Sequence, residues 1–154
     1  MEMELEKIFE KYEMTKEQYE AFRDRFTLRQ LRAGDTIFSE WDLAETFYFI
    51  RSGELTASRL SSDRQEKVLK VLGPGELFGE VGLIQDIPRI ATIKAITDSQ
   101  IYELSKSDFF DLLECNPAFS ALLDRLHTLR LLQGIPVFHK LDDGALLKIR
   151  DELV

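Results

Sequence analysis

Gly73-Pro74-Gly75-Glu76-Leu77-Phe78-Gly79-Glu80-Val81-Gly82-Leu83-Ile84, followed closely by Pro88-Arg89-Ile90-Ala91-Thr92, joins a dense run of glycines to a carboxylate and an arginine between strand-like flanks. A glycine-dense turn entering a short helix bares backbone N–H groups and a positive dipole end, which suits an anion. Glu80 directly follows Gly79, and an ionised carboxylate accepts hydrogen bonds without donating any, as sugar hydroxyls require. Arg89 adds a rigid donor fork that matches phosphate oxygens. From Gly75 to Arg89 the charged residues are Glu76, Glu80, Asp86 and Arg89, so a bound phosphate has one obvious cation. A carboxylate this near would repel a pyrophosphate or triphosphate unless a metal intervened. The set suits a small nucleotide of low charge.

Outward from this stretch the pattern is strand-like. From about Thr27 to Leu104 the chain is a series of short runs rich in Val, Ile, Thr, Phe and Tyr. Turn signals separate them: Ala33-Gly34-Asp35, Trp41-Asp42, Ser52-Gly53, Ser61-Ser62-Asp63, Gly73-Pro74-Gly75 and Thr97-Asp98. Such spacing predicts a sandwich or a closed roll. Both flanks read helical. Leu5, Ile8, Phe9 and Tyr12 make one apolar stripe, and Thr15 with Gln18 forms a capping box for a helix carrying Tyr19, Phe22 and Phe26. On the other side Ser105 and Asp108 cap a helix bearing Phe109, Phe110 and Leu113. Asn116-Pro117 then reads as an N-cap and first-turn proline for a helix to about Gln133, with Phe119, Leu122, Leu123, Leu126 and Leu129 along one side.

Phe78-Gly79-Glu80-Val81-Gly82-Leu83-Ile84 with Pro88-Arg89-Ile90-Ala91-Thr92 resembles the phosphate-binding cassette of the cyclic nucleotide-binding domain family. The likeness continues through Arg32-Ala33-Gly34-Asp35-Thr36-Ile37-Phe38, Glu40, Asp42, Phe47-Tyr48-Phe49-Ile50, Gly53 and Leu72-Gly73-Pro74-Gly75. It runs roughly from residue 5 to residue 133, with the motifs in the family's order and near its spacing. The resemblance implies a mainly β domain, an eight-stranded jelly-roll β-roll flanked by helices. It divides the chain into an N-terminal helical segment (1–26), a roll (27–104) with its cassette at 78–92, and hinge and lid helices (105–133). Residues 134–154 then form a linker and helix that read like the lead-in to a following domain.

The resemblance also implies a ligand, cAMP or cGMP, and its contacts. Arg89 would grip the exocyclic oxygens of the cyclic phosphate and Glu80 the ribose 2′-hydroxyl. Gly79, Val81, Gly82 and Leu83 would offer backbone N–H groups, with Ile90 and Ala91 beside the arginine. The purine lid would come from the last helix, where Leu126, His127 and Arg130 are the candidates. Two positions depart from the family pattern. Ile90 stands where a small residue or threonine is usual, and lacking a hydroxyl it favours cAMP over cGMP. Trp41 stands where glycine is common, which bears on the geometry of that loop. Lys70 is within reach of a purine edge but reads more simply as an exposed strand lysine.

Composition bounds the remaining choices. The chain has 154 residues, 44% hydrophobic and 31% charged, an ordinary globular mixture of single-domain size. A net charge of -8 speaks against direct nucleic-acid binding. No apolar run approaches the roughly 20 residues a membrane span needs. The single Cys115 excludes an internal disulfide and fits a reducing, cytoplasmic setting. Both histidines, His127 and His139, lie in the C-terminal part, and no metal-ligand or nucleophile–base constellation is visible. A binding module without catalysis, metal or cofactor is therefore expected, passing its signal to an effector domain or protein partner. A homodimer seam is the alternative use of the C-terminal leucines. Two rival readings stand beside the sensor: an orphan roll serving as an interaction module, favoured by Ile90, and the truncated sensor of a transcription regulator.

Overall fold

The computed structural model describes residues 1–133, with side chains to Leu126; the expectations for 134–154 lie outside the described residues. Two helices come first, α1 (Leu5–Lys11) and α2 (Lys16–Phe22), then a 3-10 turn (Arg23–Arg25). The strands are β1 (Thr27–Leu31), β2 (Thr36–Phe38), β3 (Thr46–Ser52), β4 (Leu55–Leu60), β5 (Glu66–Leu72), β6 (Leu77–Phe78), β7 (Thr92–Ala95) and β8 (Ser99–Ser105). Helix α3 (Glu80–Gln85) interrupts them after β6, and α4 (Lys106–Cys115) and α5 (Pro117–Gln133) close the described chain. The strands form two antiparallel sheets, ordered β1-β8-β3-β6 and β2-β7-β4-β5. This is the expected roll with flanking helices.

Strand β3 shows why the helices belong to the same unit as the roll. Phe47, Tyr48, Phe49 and Ile50 are all buried, and alternate side chains point to opposite faces of a strand. Phe47 and Phe49 enter a cluster with Ile8, Phe9, Phe109, Leu112, Phe119 and Leu123 from the helices. Tyr48 and Ile50 enter the interior of the roll with Leu55, Leu72, Phe78, Ile93 and Ile101. One strand thus serves two cores.

Local signals explain the helix ends. The Thr15–Gln18 capping box forms in both directions, Gln18 N–H donating to Thr15 Oγ1 at 3.1 Å and Thr15 N–H to Gln18 Oε1 at 2.8 Å. Ser105 accepts from the Asp108 N–H as expected. Three details differ from the sequence reading. The inward residues of α4 are Phe109 and Leu112, while Phe110 is exposed and Leu113 half-buried, because the helix meets β3 along the i, i+3 direction. The Asn116 amide donates back to the Leu112 carbonyl (2.8 Å), finishing α4, while the Asn116 carbonyl accepts the first bond of α5 from Ser120 N–H. On α5 Phe119 and Leu123 face the core and Leu122 faces outward, so the stripe is narrower than its leucine spacing suggested. Among the described residues no helix is long and apolar enough to cross a membrane.

Phe49 is fully buried and packs against the rings of Phe9, Tyr12, Phe26, Phe47 and Phe119. Phe49→Ala should cost about 3–5 kcal/mol in denaturant unfolding, a large share of a small domain's stability.

Candidate functional site

The glycine-rich stretch forms the floor of a cavity of about 410 Å³ on the inner side of the β2-β7-β4-β5 sheet. Gly79, Glu80, Val81 and Gly82 line it from the start of α3, and Ile90 and Ala91 from the approach to β7. Phe38, Ala57, Leu72, Phe78 and Ile93 supply an apolar wall, and Leu126 reaches it from α5. Of the expected site residues, Leu83 does not line the cavity; it is buried in the helical core. The side chains of His127 and Arg130, named as lid candidates, lie outside the described residues.

Ile90 lies on the cavity wall and leaves the space open. Leu69 and Lys70 also line it. The register of β5 explains their position. Ala57 pairs with Lys70 but Ser58 with Val68, so Leu69 is an extra residue on its strand. Such a bulge breaks the alternation locally, which lets Leu69 line the cavity beside its neighbour Lys70. Lys70 pairs with Ala57 two residues before the buried Leu72 and so shares their inward face, within 3.9 Å of Glu76. Alternation counted back from Leu72 already places Lys70 inward; only Leu69 falls outside it.

Arg89 is turned inward and is 4% exposed, and it stands behind the cavity wall rather than on it. Its Nη1 donates to the Gly79 carbonyl at 2.8 Å. Its Nη2 donates to the Thr46 carbonyl at 2.8 Å and to Thr46 Oγ1 at 3.1 Å. The guanidinium carbon sits 3.9 Å from the ring centre of Phe38, a cation–π contact in a desolvated place. Arg89 Nε is buried with no hydrogen-bond partner. Burial lowers the pKa of this group, and the nearby Tyr48, Glu80 and Asp42 oppose that shift. An arginine keeps its proton at neutral pH regardless. Glu80, first residue of α3, is fully buried on the cavity floor and contributes to the field at Arg89.

Backbone contacts fix this arrangement. Arg89 N–H donates to the Asp42 carbonyl and Trp41 N–H to the Arg89 carbonyl, so the loop before β3 grips Arg89 from both sides. The grip needs Trp41 at φ 74°, the left-handed region where glycine is at ease. The loop keeps the geometry that a glycine would give it, with the tryptophan side chain 76% exposed. Gly82 is required for space: a Cβ there would meet Ala44 Cβ at 2.6 Å and the Ile87 carbonyl at 3.0 Å. Gly79 takes φ 91°, and a Cβ would come within 3.1 Å of both Arg89 Nη1 and the Thr46 carbonyl.

A sequence model described as "Cyclic nucleotide-binding domain" matches residues 28–116. A cyclic AMP receptor protein of Thermus thermophilus is 33% identical over 109 residues, 71% of this chain and 50% of that protein. A cAMP-dependent protein kinase regulatory subunit of Eremothecium gossypii is 39% identical over 90 residues, 58% of this chain and 19% of that one. Among solved structures, the catabolite activator protein of Thermus thermophilus superposes with a TM-score of 0.71 at 31% identity, covering 80% of this chain and 57% of its own. The regulatory domain of Toxoplasma gondii PKA, crystallised with cAMP, gives 0.69 at 26%, covering 90% and 52%. The chain thus spans half or less of these two curated relatives.

Gly79→Ala places a Cβ in a left-handed position against the buried guanidinium. It should lower stability by about 1–2 kcal/mol, read as a reduced midpoint in thermal or urea unfolding.

Proposed function

The chain belongs to the cyclic nucleotide-binding domain family, a regulatory rather than catalytic family, and from that membership we propose that it binds cAMP in the cavity beside α3 and passes the binding on to α4 and α5. The observation that carries this is the pairing, around one apolar cavity of about 410 Å³, of a buried carboxylate on the floor and a buried guanidinium just behind the wall. That volume lies in the range of small-ligand sites. A cyclic phosphodiester has one negative charge, which one arginine can balance, and its sugar hydroxyl calls for an acceptor. Arg89 retains its Nε–H as an uncommitted donor, Glu80 supplies the acceptor, and the apolar wall with Leu126 receives the base. Ile90 has no hydroxyl to offer a guanine, which favours adenine.

Contacts between elements support the output. Helix α5 packs against α3 and α4, and α4 against β3 and β8. A ligand that prefers one placement of α3 therefore biases α5, and coupling of this kind is typically about 1–3 kcal/mol. Whatever follows α5 would receive the signal. A second reading, an interaction module without nucleotide, draws on one fact: both terminal nitrogens of Arg89 already bond to protein oxygens.

Calorimetry on the wild type and Arg89→Ala with cAMP and cGMP separates the two. The sensor reading expects cAMP to bind more tightly than cGMP, and Arg89→Ala to weaken it at least about 30-fold, since loss of one member of a buried charged contact costs about 2–5 kcal/mol. Absence of heat with either ligand at submillimolar concentration favours the interaction module. Amide exchange in α4 and α5 should slow or redistribute on cAMP addition; unchanged exchange overturns the transmission step.

A further inference from the structure

Behind Arg89 the sheet carries a line of polar side chains that cavity binding does not itself require. Arg89 Nη2 donates to Thr46 Oγ1 (3.1 Å), Thr46 Oγ1 donates to Tyr48 Oη (2.7 Å), and Tyr48 Oη donates to Glu103 Oε1 (3.2 Å). Arg29 Nη1 lies 3.6 Å from the same carboxylate oxygen. Thr46 and Tyr48 are two apart on β3, hence on one face, and Tyr48 is the register partner of Glu103 on β8. The line therefore runs from the buried guanidinium across the β3–β8 pairing to the partly exposed Arg29–Glu103 pair.

The chemistry of the ends fixes the direction of every proton in this line. A guanidinium only donates, so Thr46 Oγ1 must accept from it and send its own proton elsewhere. Tyr48 takes that proton's hydrogen bond, and its phenolic proton goes to Glu103, which when ionised only accepts. All the hydroxyls point from cation to anion, and hydrogen bonds aligned in this way polarise and strengthen one another. The other contacts to the guanidinium nitrogens, the Gly79 and Thr46 carbonyls, are backbone and survive substitution. The Thr46 hydroxyl is the contact a side chain supplies. Without it Nη2 keeps a single acceptor, so the plane of the guanidinium, and with it the direction of Nε–H, is fixed less tightly.

We infer that Thr46 and Tyr48 are positioning residues for Arg89, orienting its guanidinium through a one-way hydrogen-bond line anchored on Glu103. This deepens the cyclic-nucleotide reading, because its effect on affinity presumes that Arg89 serves the phosphate. Tyr48 also stacks on Phe78 at 4.8 Å, so packing must be separated from orientation. Tyr48→Phe keeps the ring and removes the hydroxyl; Thr46→Val keeps the branched shape of a strand residue and removes the hydroxyl; Thr46→Ser restores it.

One readout needs no ligand. In side-chain 15N NMR of the full chain, the wild-type Arg89 Nη signals should be resolved and slowly exchanging, as for a locked guanidinium. In Thr46→Val and Tyr48→Phe they should broaden or average. The second readout is calorimetry with cAMP: both variants should bind about 3- to 10-fold more weakly, the scale of one ordinary net hydrogen bond, while Thr46→Ser returns toward wild type. Circular dichroism checks the fold, and if Thr46→Val does not fold, Tyr48→Phe carries the test. Wild-type Nη exchange in the hydroxyl-free variants overturns the inference, as does a Thr46→Ser loss equal to that of Thr46→Val. A wild type that binds no cyclic nucleotide overturns the functional reading, and the NMR result then decides the positioning role by itself.

Discussion

A guanidinium buried at the end of a β-sheet constrains everything around it. Desolvating a cation costs several kcal/mol unless its protons find oxygens and its faces find a polarisable surface. Here the oxygens are two backbone carbonyls and one hydroxyl, and the surface is the ring of Phe38. Those demands reach far along the chain. They place Gly79 in a left-handed conformation, hold the end of β3 beside α3, and pull the loop of Trp41 and Asp42 onto the backbone of Arg89. The cavity lies between this hydrogen-bonded assembly and the apolar wall of the roll.

The connection from cavity to helices runs through β3. Its even-numbered residues, Tyr48 and Ile50, form the wall of the roll; its odd-numbered ones, Phe47 and Phe49, are the platform on which α1, α4 and α5 sit. A packed interior transmits small displacements because it has few voids to absorb them. Helices α3 and α5 are thus linked twice, directly through their contact and indirectly through the aromatic platform.

Most of the architecture was legible from local signals. The Thr15–Gln18 box, the Ser105 cap and the turns of the roll each depend on residues within four positions of one another, and each formed as expected. The cassette was legible because its glycines, carboxylate and arginine are also close in sequence. What escaped was non-local. Thr46 and Tyr48 look like ordinary strand residues until Arg89, more than 40 positions later, is folded against them. The bulge that brings Leu69 to the cavity beside Lys70 arises from pairing with β4, which no window on β5 contains. Asn116 reads as the N-cap of α5 and its carbonyl holds that place, but its side chain turns back to the Leu112 carbonyl because the residue also ends α4.

The span that matches the family, residues 28–116, is smaller than the span that folds together. Ile8, Phe9 and Phe22 before it, and Phe119 and Leu123 after it, close over Phe47, Phe49 and Phe109. Lys11 and Tyr12 moreover donate to the Gly75 carbonyl, stitching α1 to the turn that enters the cassette. A gene fragment cut at the homology borders would leave an oily aromatic face open to water and to its neighbours. Grafting this sensor into another protein must carry its terminal helices along, since the heritable module and the thermodynamic one have different edges.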